Sequence, residues 1–250
     1  MNVDGAVSVD VVQVWLIPVP QPAAVLAELA GVLDAAERAR AAEFLLPGPR
    51  ARFVVAHGAT RHILAARLGL PPGRLGWQRG RYGKPELAGD PPPVRMSLSH
   101  CGDHALLAVS PRRPVGVDLQ RLPGHLDVTR MSARYYPPDE AAYVAAGADP
   151  AQRSGRYAEL WARKEACVKA AGRRLTEGLR LPARGTGPVL LGDPAGPLPG
   201  PYLVDDLPAP AGFRAAVAVT GTAPYQVTQH HWAARDSTMD RFEQMVVEHA

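Results

Sequence analysis

The chain has 250 residues, 46% of them hydrophobic and 21% charged, enough for one large domain or two modest ones and too apolar for wholesale disorder. No stretch approaches the roughly 18 uninterrupted apolar residues of a membrane span. The first basic residue, Arg38, comes too late for the positive start of a secretory signal, and two cysteines (Cys101 and Cys167) cannot build a disulfide framework, so a cytoplasmic protein is expected. The net charge is only +4, but eleven Lys or Arg face three acids between Arg38 and Arg95. That concentration suggests a polyanionic ligand, either nucleic acid or a phosphorylated small molecule.

In chain order, residues 9–19 (VDVVQVWLIPV) are rich in β-branched side chains and predict a strand. Residues 22–46 are helical, with a restart at Asp34, where Asp34 and Glu37 have capping-box spacing. A second helix is expected over about 49–69, ending at Gly69 before Pro71-Pro72. Gly80-Arg81-Tyr82-Gly83-Lys84-Pro85 reads as a glycine-bounded turn that holds up a lysine, without the glycine spacing or Ser/Thr of a P-loop. Strands Arg95–His100 and Ala105–Ser110 flank the turn Cys101-Gly102-Asp103, and a third strand covers Val115–Gln120. Helical segments follow at about 126–134, 138–147 and 151–171, the last ended by Gly172. The stretch 182–201 reads as loop or a poor hairpin; strands near 202–205, 213–220 and 225–232 and a polar helix at 236–249 complete the chain. This order predicts an α+β protein of two similar-sized halves that meet near residue 112. No direct sequence repeat is present, so any internal symmetry would be structural.

Three groups of residues carry possible chemistry. On a helix, Leu160, Lys164, Cys167, Val168 and Ala171 share one stripe, which puts the Lys164 ammonium in the middle of an apolar face, where it needs a partner. Glu165 sits at the edge of that stripe with Lys169 one turn on; an ordinary i, i+4 pair would explain those two, but not Lys164. In the strand Val115-Gly116-Val117-Asp118-Leu119-Gln120, Asp118 and Gln120 point to the same face and offer oxygen ligands to a hard cation such as Mg²⁺, with Glu165 a possible second carboxylate. The plainer alternative is a polar strand face open to water. In Ser97-Leu98-Ser99-His100-Cys101, Ser99 and His100 point to opposite faces, which disfavours a nucleophile–base pair; a strand-end histidine contacting phosphate is geometrically easier.

Taken in order, Gly83-Lys84-Pro85, Ser97-Leu98-Ser99-His100, Val115-Gly116-Val117-Asp118 and Trp161-Ala162-Arg163-Lys164-Glu165-Ala166 with Lys169 resemble the signatures of Sfp-type 4′-phosphopantetheinyl transferases, in the variant whose last motif reads Trp…Lys-Glu-Ala. The resemblance runs from about residue 35 to 220 and matches the double-length, pseudo-two-fold monomeric type, with the active site between two α+β halves. It implies an N-terminal half (1–112) on the nucleotide side, a C-terminal half (113–224) bearing metal and catalytic residues, and a tail (225–250). The implied reaction is Mg²⁺-dependent transfer of the phosphopantetheine arm of coenzyme A to a serine of an apo acyl- or peptidyl-carrier protein, as in polyketide or non-ribosomal peptide biosynthesis, releasing adenosine 3′,5′-bisphosphate. By the same resemblance Asp118 and Glu165 hold Mg²⁺, Glu165 is the general base, and Lys169 stabilises the pyrophosphate or leaving group. Arg40, Arg52, Lys84, Ser99 and His100 contact the nucleotide and its phosphates. Lys164 is expected to be a positioning or ion-pairing group where the halves meet, on the coenzyme side. Gln120 stands where many relatives carry an acid, which implies a two-carboxylate metal site with an extra water. The Glu140 region, Tyr135-Tyr136-Pro137-Pro138-Asp139-Glu140, is a candidate for carrier contact.

Two other classes fit parts of the sequence. One is an acyltransferase built on Cys167 or Ser99, sensitive to thiol alkylation and indifferent to EDTA. The other is a basic nucleic-acid-binding module on the Arg38–Arg95 segment, with Trp77 and Tyr82 to stack bases, although no helix-turn-helix, zinc or RNA-recognition signature accompanies it. The transferase reading expects neither nucleic acid nor membrane as partner.

Overall fold

A computed structural model describes residues 9–89, 94–198 and 200–234. The helix expected at 236–249 lies outside them. Strand β1 (Asp10–Pro18) is followed by helices α1 (Ala23–Gly31), α2 (Ala35–Ala42) and α3 (Pro47–Leu68). A short hairpin of β2 (Trp77–Arg79) and β3 (Pro85–Leu87) then leads to β4 (Arg95–Cys101) and β5 (His104–Ser110). The second half opens on β6 (Val115–Arg121) and continues with α4 (Val128–Tyr135), α5 (Pro138–Ala145), α6 (Pro150–Ala171) and the single turn α7 (Leu175–Gly178). Strands β7 (Val189–Leu191), β8 (Tyr202–Leu207), β9 (Phe213–Thr220) and β10 (Tyr225–His231) close the described chain.

The strands form two four-stranded sheets, ordered β10-β1-β5-β4 and β6-β9-β8-β7, plus the separate β2-β3 ribbon. In each large sheet the first strand of the half pairs antiparallel with the last strand of a hairpin, β1 with β5 and β6 with β9. Each half also carries a 22-residue helix, α3 or α6, that ends on a glycine with positive φ, Gly69 or Gly172. The repeat invisible in the sequence is therefore present in the order of elements. The strand β10 runs parallel to β1, from Asp10↔Tyr225 to Leu16↔His231, so it completes the first sheet. The strand expected near 225–232 is thus present, and its partner is β1 at the start of the chain.

Period-two alternation sorts the strand side chains into layers. Val12 and Val14 of β1, Leu106 and Ala108 of β5, and Val115, Val117 and Leu119 of β6 lie in a core between the two sheets. Ile17, Leu107 and Val109 turn the other way and pack under α1 and α3 with Leu29, Val55 and Leu64. On the far side, Leu160, Cys167 and Val168 of α6 pack on Val204, Ala216 and Ala218 of the second sheet. The layering is helix, sheet, sheet, helix.

The sheets also meet edge to edge. β6 is an outer strand of its sheet, and two of its N–H groups are satisfied from β4: Val117 N–H donates to Ser97 Oγ (3.1 Å) and Leu119 N–H to Ser99 Oγ (3.3 Å). Buried N–H groups need such acceptors. Alternation in β4 thus sends Met96 into the first core and the two serines across the seam.

Candidate active site

The site grows from the contact between β6 and α6. A Cβ built on Gly116 would collide with the Ala166 carbonyl oxygen and the Ala170 nitrogen, so only glycine lets the strand lie directly on the helix backbone. Two residues on, the same face of β6 presents Asp118 to the side of α6 that carries Glu165 and Lys169. Asp118 is 5% exposed. Its Oδ1 accepts from Lys169 Nζ (2.6 Å) and from Ser99 Oγ (2.8 Å), while Lys169 Nζ also donates to Ser99 Oγ (3.0 Å). The second oxygen, Oδ2, is buried without a hydrogen-bond partner. Burial pushes the Glu165 carboxyl above the usual carboxylate range, and the Asp118 charge adds to that rise against an opposing pull from Lys169. Four residues from two strands and one helix are therefore brought to one seam.

The N-terminal half faces this seam with basic groups. His100 is the next-to-last residue of β4, with its imidazole pKa held below the ordinary value first by desolvation and then by the charges of His57, Arg52 and Lys169. Arg52 is anchored on α3, where Nε donates to the Gly102 carbonyl across 50 residues of chain (2.8 Å). His57, which the motifs did not mark, sits between Glu37 and Phe53: Nδ1 lies 3.0 Å from Glu37 Oε1, and the ring stacks on Phe53 at 4.0 Å. The i, i+4 spacing of Phe53 and His57 on a helix was the available signal.

Other expected site residues stand elsewhere. Arg40 lies on the solvent side of α2, paired with Glu43 and stacked over Phe44. Lys84, expected at a phosphate, instead donates to two backbone carbonyls, Val115 (2.9 Å) and Lys169 (2.7 Å). Lys164 is ion-paired. The apolar stripe is real and Lys164 is 1% exposed, but its partner is Glu140 at 2.6 Å, with the Leu181 carbonyl also accepting and the Tyr136 ring 4.7 Å away. All of these belong to the C-terminal half, so the ion pair expected of Lys164 forms within that half. Within the Glu140 region, Glu140 itself is fully buried and its Oε1 accepts the Ala183 N–H, while Pro138 and Asp139 before it are exposed. Gln120 follows Asp118 on the same face, half-buried, and its amide nitrogen donates to the Arg121 carbonyl (3.0 Å).

The rival chemistries lose their residues. Cys167 is wholly buried and its thiol is pushed up to about 12 by desolvation, which leaves no thiolate near neutrality. Ser99 is held by Asp118, Lys169 and the Leu119 N–H, and none of these is a histidine base. The positive segment does not form one surface either: Arg61 is fully buried, bonded to Asp34 and Glu37 (both 2.6 Å), whose reciprocal capping box is formed as expected. A cavity of about 470 Å³ opens at the end of the inter-sheet core between Leu16, His104 and Leu207; none of the expected site residues lines it.

A buried carboxylate with a free oxygen, a second carboxylate kept basic, and lysine, arginine and histidine around them suit a cation and a phosphorylated substrate. Among the described residues, no group of three or more His, Cys, Asp or Glu is placed to hold a metal. Residues 114–185, which span Asp118, Glu165 and Lys169, match the family model of the 4′-phosphopantetheinyl transferase superfamily. The chain is 36% identical over 166 residues to the 4′-phosphopantetheinyl transferase HetI of Nostoc sp. (strain PCC 7120), covering 65% of this chain and 69% of that protein. The chain belongs to the 4′-phosphopantetheinyl transferase superfamily. It is also 31% identical over 123 residues to a 4′-phosphopantetheinyl transferase of Bacillus subtilis, about half of each chain. With the human L-aminoadipate-semialdehyde dehydrogenase-phosphopantetheinyl transferase it shares 30% identity over 121 residues, 45% of this chain and 39% of that one. The superfamily match covers β6 through the turn after α7, the half that holds both carboxylates. Among the described residues no helix is long and apolar enough to cross a membrane.

Proposed function

We propose that this chain transfers the 4′-phosphopantetheine arm of coenzyme A to a serine hydroxyl of an apo acyl- or peptidyl-carrier protein, releasing adenosine 3′,5′-bisphosphate. In this reading it acts in the cytoplasm, as a monomer, with Mg²⁺ held by Asp118 and Glu165. The observation that supports it best is Asp118 Oδ2: a buried carboxylate oxygen with no donor, beside a second carboxylate, is the hard-oxygen environment a divalent cation fills. Bound there, Mg²⁺ would neutralise charge on the diphosphate of coenzyme A.

The chain's own groups divide the remaining work. Glu165, with its raised pKa, accepts the serine proton directly or through a water. Lys169, already fixed by Asp118 and Ser99, holds a positive charge where the diphosphate oxygens gain negative charge. Arg52 and His100 in the N-terminal half receive the nucleotide phosphates, for which a guanidinium fork is well suited. The carrier serine loses its proton and forms the new P–O bond, and the bond from that phosphorus to the nucleotide phosphate breaks. The division of labour follows the two halves, nucleotide side in 1–112 and metal and base in 113–224.

The deciding experiment is the intact mass of an apo carrier protein after incubation with this protein, coenzyme A and Mg²⁺, with an EDTA arm. The expected result is a gain of one phosphopantetheine arm that EDTA abolishes. No gain, together with no coenzyme A binding, would overturn the reading. Gln120 gives a finer test. A neutral amide ligates Mg²⁺ more weakly than a carboxylate, so Gln120→Glu should lower the half-saturating Mg²⁺ concentration, by about tenfold for each 1.4 kcal/mol gained. An unchanged Mg²⁺ curve would remove residue 120 from the metal's surroundings.

A further inference from the structure

We propose that Lys84 is a positioning residue that clamps β6 and the last turn of α6 to the N-terminal half, and so sets the place of Lys169 and Asp118 without touching phosphate. This rests on the transferase reading above. Lys84 stands on the β2–β3 turn directly after Gly83, whose φ of 85° lets the chain reverse there. Its ammonium has three protons, and two are committed: one to Val115 O at 2.9 Å, one to Lys169 O at 2.7 Å. Val115 opens β6 three residues before Asp118. Lys169 is the residue whose Nζ pairs with Asp118. A single group from the N-terminal half therefore bonds both elements whose close approach at Gly116 builds the site.

Two physical features favour this arrangement. Lys169 O lies in the last turn of α6, at the negative end of the helix dipole, and its one backbone donor is the capping Gly172 N–H at 3.2 Å, so its second lone pair is well placed for an ammonium. The same burial that shields the group lowers its pKa to about 8, with Glu86 opposing and the charges of Arg95 and Lys169 adding to the fall. Only fixed acceptors would hold a lysine there. The neighbouring Tyr82 makes a second attachment across the junction: the guanidinium groups of Arg173 and Arg174, which follow α6, lie 6.0 and 5.3 Å from its ring centre. The ribbon is fastened to the C-terminal half at two adjacent points.

The test compares Lys84→Met and Lys84→Arg with the wild type by steady-state transfer to an apo carrier, coenzyme A being varied. A parallel hydrogen-exchange measurement uses each protein without substrate. For Lys84→Met the expected result is a fall in kcat of about 10²-fold, the size of effect that a displacement of about 1 Å in a catalytic group produces. The KM for coenzyme A should stay within about threefold, because binding common to ground and transition states is untouched. Lys84→Arg, which keeps the charge and the donors, should recover part of kcat. Exchange should quicken in 113–118 and 169–174 while α3 is unchanged. A rise of about tenfold or more in the KM for coenzyme A with kcat kept would make Lys84 a phosphate ligand and overturn the clamp. Unchanged exchange in both segments would also overturn it. If the wild type itself transfers nothing, the transferase reading fails, and the exchange arm still decides whether Lys84 ties these segments together.

Discussion

Glu165→Gln should slow carrier loading by about 10²–10⁴-fold, the usual contribution of a positioned general base, and saturating Mg²⁺ should not restore it. The amide keeps the size of the side chain and an oxygen that can face a cation, but it cannot take a proton from serine. Its environment explains why Glu165 is suited to the task. Burial first, and the nearby Asp118 charge second, raise its pKa, so the carboxylate binds a proton more readily than an exposed one. The sign follows: as pH falls through that raised value the base is protonated, so wild-type activity should decline on the acid side. Glu165→Gln should show no such limb in its residual activity. The measurement is the rate of holo-carrier formation by intact mass across pH at saturating coenzyme A and Mg²⁺. Near-wild-type turnover for the variant would remove Glu165 from the proton transfer, and an acid limb that survives the substitution would assign that limb to another group.

Much of this site was legible in the sequence because its geometry is local. The 3.6-residue period of α6 places Lys164 in an apolar stripe and Lys169 one turn after Glu165, and the two-residue period of β6 separates Asp118 from Val117. Gly69 and Gly172 announce the ends of the two long helices, and both adopt the left-handed backbone there. What the pattern could not supply was the partner in space. The period predicts that Lys164 needs a counter-charge, but choosing Glu140 across the α5–α6 packing, over a group at the junction of the halves, depends on tertiary contact alone. Lys84 is the same case: a lysine raised on a turn suggests an anion, and only the folded chain reveals two carbonyls 31 and 85 residues away. The strand β10 was legible as a strand, yet its parallel pairing with β1 lies in sheet topology, which no periodicity encodes. Ser97 and Ser99 show the limit from the other side. Their alternation with Met96 and Leu98 was visible, but the backbone N–H groups they satisfy belong to the other sheet.

Lys164→Met should destabilise the protein by about 3–5 kcal/mol, because it leaves a fully buried carboxylate without its counter-charge. At the roughly 2–4 °C per kcal/mol usual for chains of this length, the melting temperature should fall by about 6–20 °C. The pair itself is expected to contribute much less than that. Desolvation has already lowered the Lys164 pKa, with Glu140 restoring only part of the charged form's advantage, as for any ion pair drawn into a core. A second substitution separates the two effects. In Lys164→Met with Glu140→Gln no charge remains buried, and the Gln oxygen can still accept the Ala183 N–H that Glu140 Oε1 holds now. That double variant should recover most of the loss. It should stop short of wild type by about the 1–3 kcal/mol of an unsatisfied buried acceptor, since the Leu181 carbonyl loses the Lys164 donor. Denaturant or thermal unfolding of the three proteins gives the result. If the double variant were no more stable than Lys164→Met, the uncompensated charge would not be the cause, and the defect would lie in the packing of the lysine stem against Tyr136 and the second core.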